Sequence, residues 1–104
     1  MKVLLDECVP WPLGRLLTGH VCANPQKQGW GGIKNGQLLA LAEGEFDLFV
    51  TSDQNLRYQQ NLSGRKIAIL ELSSNDWRRI RAVSDRILAA VNGIQPGDFI
   101  QHSV

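Results

Sequence analysis

The chain has 104 residues, of which 43% are hydrophobic, and this length supplies the core of one compact domain but not of two. Lysine and arginine total 11 against 10 aspartates and glutamates, so the net charge of +1 creates no overall field for nucleic acid or an anionic membrane. The first apolar run ends at Asp6, too early for a signal peptide, and no run is long enough to span a membrane. We therefore expect a soluble, cytoplasmic protein with no membrane contact, in which Cys8 and Cys22 are reduced, partly buried thiols.

Short apolar runs alternate with helical patterns along the chain. Strands are predicted at about residues 2–5, 20–23, 46–50, 66–70 and 98–102. Helices are predicted after Pro10 and Pro12, from a cap at Asn35 to Gly44, at about 54–61, and as one long helix between caps at 73–75 and a stop at 92–93. This alternation predicts a three-layer α/β/α sandwich with a mainly parallel central sheet of four or five strands, in which the place of the last strand stays open.

Two of the predicted strands end in acidic residues. Asp6 and Glu7 follow the first strand, and Asp53 follows the third. Because ligands bind outside the carboxyl ends of the strands in an open parallel sheet, these carboxylates are expected to converge, either to hold a hard divalent cation or to repel one another. Adjacent strand residues point to opposite faces, so only one of Asp6 and Glu7 is expected to share a cation with Asp53. Asp6 is the expected ligand, because Pro10 fixes the entry to the next helix and Glu7 could then cap or support that helix. The alternative role of both aspartates is to cap the helices that follow them.

Further polar residues are predicted near the same edge. Asp76 lies shortly after the fourth strand and is a candidate for the site, although an acid in a first helical turn also complements the helix dipole. The segment after Asp53 and an arginine-rich helix could contact a sugar-phosphate backbone, and their candidate residues are Arg57, Gln59, Gln60 and Arg78. The alternative interpretation of both segments is an ordinary solvated helix face.

Three strings, LLDE at 4–7, KNGQLL at 34–39 and TSDQNL at 51–56, resemble the PIN-like superfamily, as does the order of the elements. The strings are more closely similar to its small bacterial branch of unknown function, which is related to the toxins of toxin-antitoxin pairs. The resemblance covers roughly the first 90 residues. It implies that Asp6 and Asp53 are catalytic, metal-binding acids of a ribonuclease whose Mg²⁺ or Mn²⁺ ions activate water for phosphodiester hydrolysis. It also implies RNA as the substrate and a cognate antitoxin as the protein partner, and a homodimer is left open.

The resemblance implies a third acid at the start of the middle helix, where this chain has the neutral residues Asn35 and Gln37. An amide carbonyl can ligate a hard cation, but a full negative charge is lost, so we expect weaker metal binding. Further candidate ligands that would complete the site are Glu7, Asn35 and Asp76.

Two alternatives to a ribonuclease stay open. The first is a degenerate PIN-like domain that binds RNA or a protein without cleavage. The second is a receiver-like phosphoacceptor, which would also place acids after its first and third strands. The chain fits a receiver less well, because Lys66 lies at the wrong end of the fourth strand.

Overall fold

The structure is a computed structural model that describes residues 1–56 and 64–104, with the backbone alone described at Asn35. Its strands are β1 (Lys2–Leu5), β2 (Val21–Ala23), β3 (Leu48–Thr51), β4 (Ala68–Leu72) and β5 (Phe99–His102). Its helices are α1 (Leu13–Leu16), α2 (Asn35–Ala42), α3 (Trp77–Ala82) and α4 (Ser84–Gly93). No helix in these described ranges is long and apolar enough to cross a membrane.

The five strands form one sheet in the order β2-β1-β3-β4-β5, and every neighbouring pair is parallel. The predicted parallel sheet within an α/β/α sandwich is therefore confirmed. The last strand, whose place the sequence left open, forms the edge beside β4. All carboxyl ends consequently meet at one edge of the sheet, which is where open parallel sheets bind their ligands.

The apolar strand residues divide between two cores, one on each face of the sheet. Successive strand residues point to opposite faces, so a strand covered on both sides must be apolar throughout. On one face, Leu4 and Phe49 belong to the core that includes residues of α2. On the other face, Leu5 and Val50 belong to the core that includes residues of α1, α3 and α4. Burial on both faces explains why β3 reads as the continuous run LFVT.

The single long helix predicted near the C-terminus is wrong, because the chain forms two helices there. Val83 separates α3 from α4 with φ −117° and ψ 20°, outside the helical region. A β-branched residue loses side-chain freedom in a helix, and this lowers its helical propensity. Each helix has its own buried contacts, through Ile80 in α3 and through Ile87 and Val91 in α4.

Several predicted boundaries also moved. β3 ends at Thr51 and β4 extends to Leu72, so Thr51 and Glu71 lie inside strands rather than in the loops after them. Asn35 is the first residue of α2 instead of its cap, since Lys34 occupies the cap position. Most of the helix predicted at about 54–61 lies outside the described residues.

Candidate functional site

A row of buried polar side chains lies at the carboxyl edge of the sheet. In the described part of the chain, the buried polar side chains are Asp6 (8% exposed), Thr51 (0%) and Glu71 (3%). Thr51 is in register with Glu71, and Asp6 and Thr51 follow the paired residues Leu5 and Val50. The three side chains therefore occupy equivalent positions on three adjacent strands, on the sheet face that packs against α2. We call Asp6, Thr51 and Glu71 the polar row.

The Asp6 carboxylate accepts three hydrogen bonds. The Thr51 hydroxyl donates to Oδ2 at 2.8 Å and the Glu7 amide donates to Oδ1 at 2.8 Å. The Cys8 thiol donates to Oδ2 at 3.4 Å. Because an ionised carboxylate offers about four acceptor positions, these donors orient Asp6 and leave capacity for a further ligand. The interpretation of Asp6 as a cap of α1 is wrong, since Pro12 occupies that position.

Asp53 is connected to Asp6 through the Thr51 hydroxyl. Its backbone amide donates to Thr51 Oγ1 at 3.0 Å, while the same hydroxyl donates its proton to Asp6. The Asp53 side chain accepts from the Asn55 amide at 3.0 Å, which is the contact of an Asx turn. One buried hydroxyl therefore fixes the carboxylate of the first acid and the backbone of the second.

A cavity of about 300 Å³ opens beside this cluster. It is lined by residues 6–11 together with Asn24 and Gln26. Glu7 is exposed, and its Oε1 accepts from the Gly32 amide at 3.4 Å, in the glycine-rich segment before α2. Asp6 and Glu7 thus both line the cavity, but Asp6 is hydrogen-bonded to Thr51 of β3 and Glu7 to the loop before α2.

The remaining candidates are placed as follows. The Asp76 carboxylate caps α3 by accepting from the Arg78 amide at 2.9 Å, so it has a structural role at the start of that helix. Arg78 is exposed in the first turn of that helix. Arg57, Gln59 and Gln60 lie outside the described residues, as does the side chain of Asn35.

Thr51 and Glu71 were not predicted as members of the site. Thr51 was visible as the first residue of the TSD string, but only its register next to Asp6 gives it a role. Glu71 interrupts the apolar run IAILEL, and an acid inside a buried strand was the available signal. The prediction ended that strand at residue 70 and therefore placed Glu71 in a loop.

No family model, curated protein or solved structure matches this chain. The PIN-like resemblance of the three strings stays a prediction.

The site offers a divalent ion few ligands but suitable ones. Within residues 1–56 and 64–104, no group of three or more His, Cys, Asp or Glu side chains is arranged to hold a metal. The available donors are carboxylate oxygens of Asp6 and Asp53, which hard cations prefer. Mg²⁺ is commonly held by one or two carboxylates, with water and substrate phosphates as its other ligands. The residues therefore fit an ion of that kind rather than an all-protein metal cage.

The two cysteines form no disulfide, and the predicted partial burial is confirmed for Cys22 but wrong for Cys8, which is exposed. Burial raises the pKa of the Cys22 thiol, and the N-terminal ammonium opposes this shift by a smaller amount. Cys8 is exposed beside Asp6. Only the thiolate attacks an alkylating reagent, so a raised pKa slows the reaction of Cys22 near neutral pH.

We expect iodoacetamide to modify Cys8 before Cys22 in the folded protein, with Cys22 reacting faster as the pH rises toward its raised pKa. Mass spectrometry of the two cysteine peptides over time and pH measures both rates. Protein unfolded in urea is the control, because both thiols are then exposed. Equal rates in the folded protein would show that burial does not protect Cys22.

Proposed function

We propose that this protein is a PIN-like, metal-dependent ribonuclease in which Asp6 and Asp53 hold Mg²⁺ or Mn²⁺. The observation that carries the proposal is the hydrogen-bonded cluster in which Thr51 joins the Asp6 carboxylate to the Asp53 backbone. Asp6 is buried, and a buried carboxylate destabilises the fold unless hydrogen bonds or a bound cation compensate its charge. The cluster also lies at the sheet edge where parallel folds bind ligands. Oxygen ligands at that edge suit a hard cation and the phosphate it would neutralise.

Each residue of the cluster has a separate task. The Thr51 hydroxyl donates a hydrogen bond to Asp6 Oδ2, and this bond holds the Asp6 carboxylate in one orientation. The Asx turn at Asp53 holds its side chain next to its own backbone. A divalent ion bound there would supply an activated water and would neutralise charge on the scissile phosphate. Glu7 and Asn35 remain the proposed further ligands. The α3 cap formed by Asp76 makes it the weaker candidate, since its carboxylate already accepts the Arg78 amide.

The proposal extends to the substrate and the cellular role. RNA would contact Arg57, Gln59, Gln60 and Arg78, and the support for RNA over DNA is the resemblance to PIN-like nucleases. The same resemblance supports a cytoplasmic toxin that a cognate antitoxin protein holds inactive. A homodimer is compatible with either role.

A second candidate function is a binding module that has lost cleavage. The observation that favours it is the shortage of acids, since Asn35 and Gln37 are neutral and the described residues contain no group of three metal-binding side chains. Such a domain would bind RNA or a protein partner at the same edge of the sheet without hydrolysing a phosphodiester bond. Adding an acid at position 35 distinguishes the two functions.

We expect Asn35→Asp to bind Mn²⁺ about ten-fold more tightly and to cleave a mixed-sequence RNA faster than the wild type. The reason is that position 35 begins α2, where the helix dipole favours a negative charge. The measurement is a Mn²⁺ titration paired with a cleavage assay on wild type, Asn35→Asp and Asp53→Asn. The Asp53→Asn variant should lose both Mn²⁺ binding and RNA cleavage.

The two candidate functions give different results in this experiment. Tighter Mn²⁺ binding without cleavage in Asn35→Asp would favour the binding module, because metal alone would not restore hydrolysis. If none of the three proteins responds to Mn²⁺, the metal-site proposal is wrong. Asp85→Asn, an exposed acid of α4, is the matched control and should behave as the wild type.

A further inference from the structure

Glu71 is a buried acid that lacks a cationic partner in the described part of the chain. It is almost fully buried at the carboxyl end of β4. Gln101 Nε2 donates to its Oε2 at 3.1 Å, and no other described side chain or amide donates to its carboxylate. The ion pair found among the described residues joins Arg65 and Glu43 elsewhere. Its other oxygen, Oε1, accepts no hydrogen bond from the described residues and is not sealed from solvent, so it is open to a ligand.

Glu71 faces a small polar cavity at the carboxyl ends of β4 and β5. The cavity measures about 220 Å³, below the roughly 300–1,000 Å³ of drug-sized ligand sites. It therefore suits a small ligand such as one ring or one pair of fused rings. Its lining residues are Gln54, Glu71, Ser73, Gln101, His102 and Ser103. Glu71 is the sole carboxylate in that set. A divalent cation would therefore find one acid there, whereas a neutral ring with hydrogen-bond donors would find an acceptor flanked by amides and hydroxyls.

The hydrogen-bond capacity that remains in the cavity has a definite pattern. Glu71 can accept at Oε1 and, through a second lone pair, once more at Oε2. Gln54 Nε2 already donates to the Ser73 carbonyl at 2.6 Å, and Gln101 Nε2 donates to Glu71. Each amide nitrogen carries a second N–H, so both glutamines can still donate once. An open carboxylate acceptor beside open amide donors complements a ring edge that has N–H groups next to a carbonyl oxygen.

Guanine is the RNA base with that edge. Its N1–H and N2–H groups donate, and its O6 accepts on the same side of the ring. Bases of single-stranded RNA are recognised on this edge when they are splayed out of a stack. Adenine, cytosine and uracil each offer fewer donors to a carboxylate. We propose that the cavity is a base subsite that binds a guanine of single-stranded RNA, with Glu71 accepting from N1–H and N2–H.

The proposed subsite rests on the proposed ribonuclease function and shares its edge of the sheet. Thr51 is in register with Glu71, and Asp6 lies on the next strand beyond Thr51. Since neighbouring strands are roughly 4.8 Å apart, the Asp6 and Glu71 backbones are about 10 Å apart across the polar row. A bound guanine would therefore place its own backbone near the acids that would hold the metal.

The test measures binding in chelator, so that it does not depend on metal or cleavage. Fluorescence anisotropy compares labelled oligouridine RNAs that carry one central guanosine, inosine or adenosine. Inosine lacks only the 2-amino group of guanosine. A hydrogen bond to a charged acceptor contributes about ten-fold or more in affinity, so wild-type protein should prefer guanosine over inosine by at least that factor.

The variant Glu71→Gln keeps the side-chain size but replaces one acceptor oxygen by a donor. It should bind both the guanosine and the inosine RNA more weakly than the wild type, because inosine keeps the N1–H group, and it should lose most of the preference for guanosine. The matched control is Glu43→Gln, which changes an acid at the opposite edge of the sheet. It should keep the preference for guanosine over inosine. The wild-type comparison of the three RNAs tests the proposal even if Glu71→Gln does not fold.

The outcomes separate the subsite from the ribonuclease. RNA that is cleaved in Mn²⁺ but bound without preference for guanosine would overturn the subsite alone. A guanosine preference without cleavage would support the subsite and count against the nuclease. If no RNA binds, the subsite is wrong, and the Mn²⁺ cleavage assay decides separately whether the ribonuclease proposal survives.

Discussion

Asp6→Asn is expected to lose Mn²⁺-dependent cleavage of RNA by at least about 100-fold, because even residues that only orient a metal ligand contribute about 10–100-fold. The change should also lower the free energy of unfolding by about 1–3 kcal/mol in chelator. Asn has one acceptor oxygen, whereas Asp6 accepts from Glu7 at Oδ1 and from Thr51 at Oδ2. One of those donors would face the new NH₂ group.

Urea unfolding followed by tryptophan fluorescence measures the stability of the Asp6→Asn variant, and a cleavage assay measures its activity. Asp85→Asn is the control for a change of charge on the surface; it should leave cleavage unchanged and lower the free energy of unfolding by no more than about 1 kcal/mol, since Asp85 lies in the first turn of α4. Unchanged cleavage in Asp6→Asn would exclude Asp6 from the chemistry. Unchanged stability would show that its hydrogen bonds make no net contribution to folding.

Thr51→Val is expected to lower Mn²⁺ affinity about 10–100-fold, although Thr51 itself need not touch the ion. Valine matches threonine in size but removes the hydroxyl that donates to Asp6 and accepts from the Asp53 amide. Each of these partners then loses one hydrogen bond, so the free energy of unfolding should fall by about 1–3 kcal/mol.

Thr51→Ser is the matched control, because it keeps the hydroxyl and removes only a methyl group. Its cost should be about 1 kcal/mol from lost burial, with Mn²⁺ affinity close to that of the wild type. The measurements are a Mn²⁺ titration and urea unfolding of both variants. Equal Mn²⁺ affinity for Thr51→Val and Thr51→Ser would mean that the hydroxyl does not position Asp6.

The layered fold followed from local patterns in the chain. β1 was predicted at the residues it occupies, and the predicted α/β/α sandwich formed, because strands covered on both faces must be continuously apolar. The break at Val83 was not predicted, since the apolar spacing of α3 and α4 also fits one continuous helix. Here the backbone geometry at a single residue decided between one helix and two.

The sequence by itself determined that Asp6 and Asp53 follow two strands of a parallel sheet, and parallel strands bring their carboxyl ends to one edge. Only the tertiary structure decided which side chains lie beside them. Thr51 and Glu71 joined Asp6 because β1, β3 and β4 are adjacent and aligned in one register. Strand order and register depend on contacts between residues far apart in the chain, so no local pattern of apolar and polar residues specifies them.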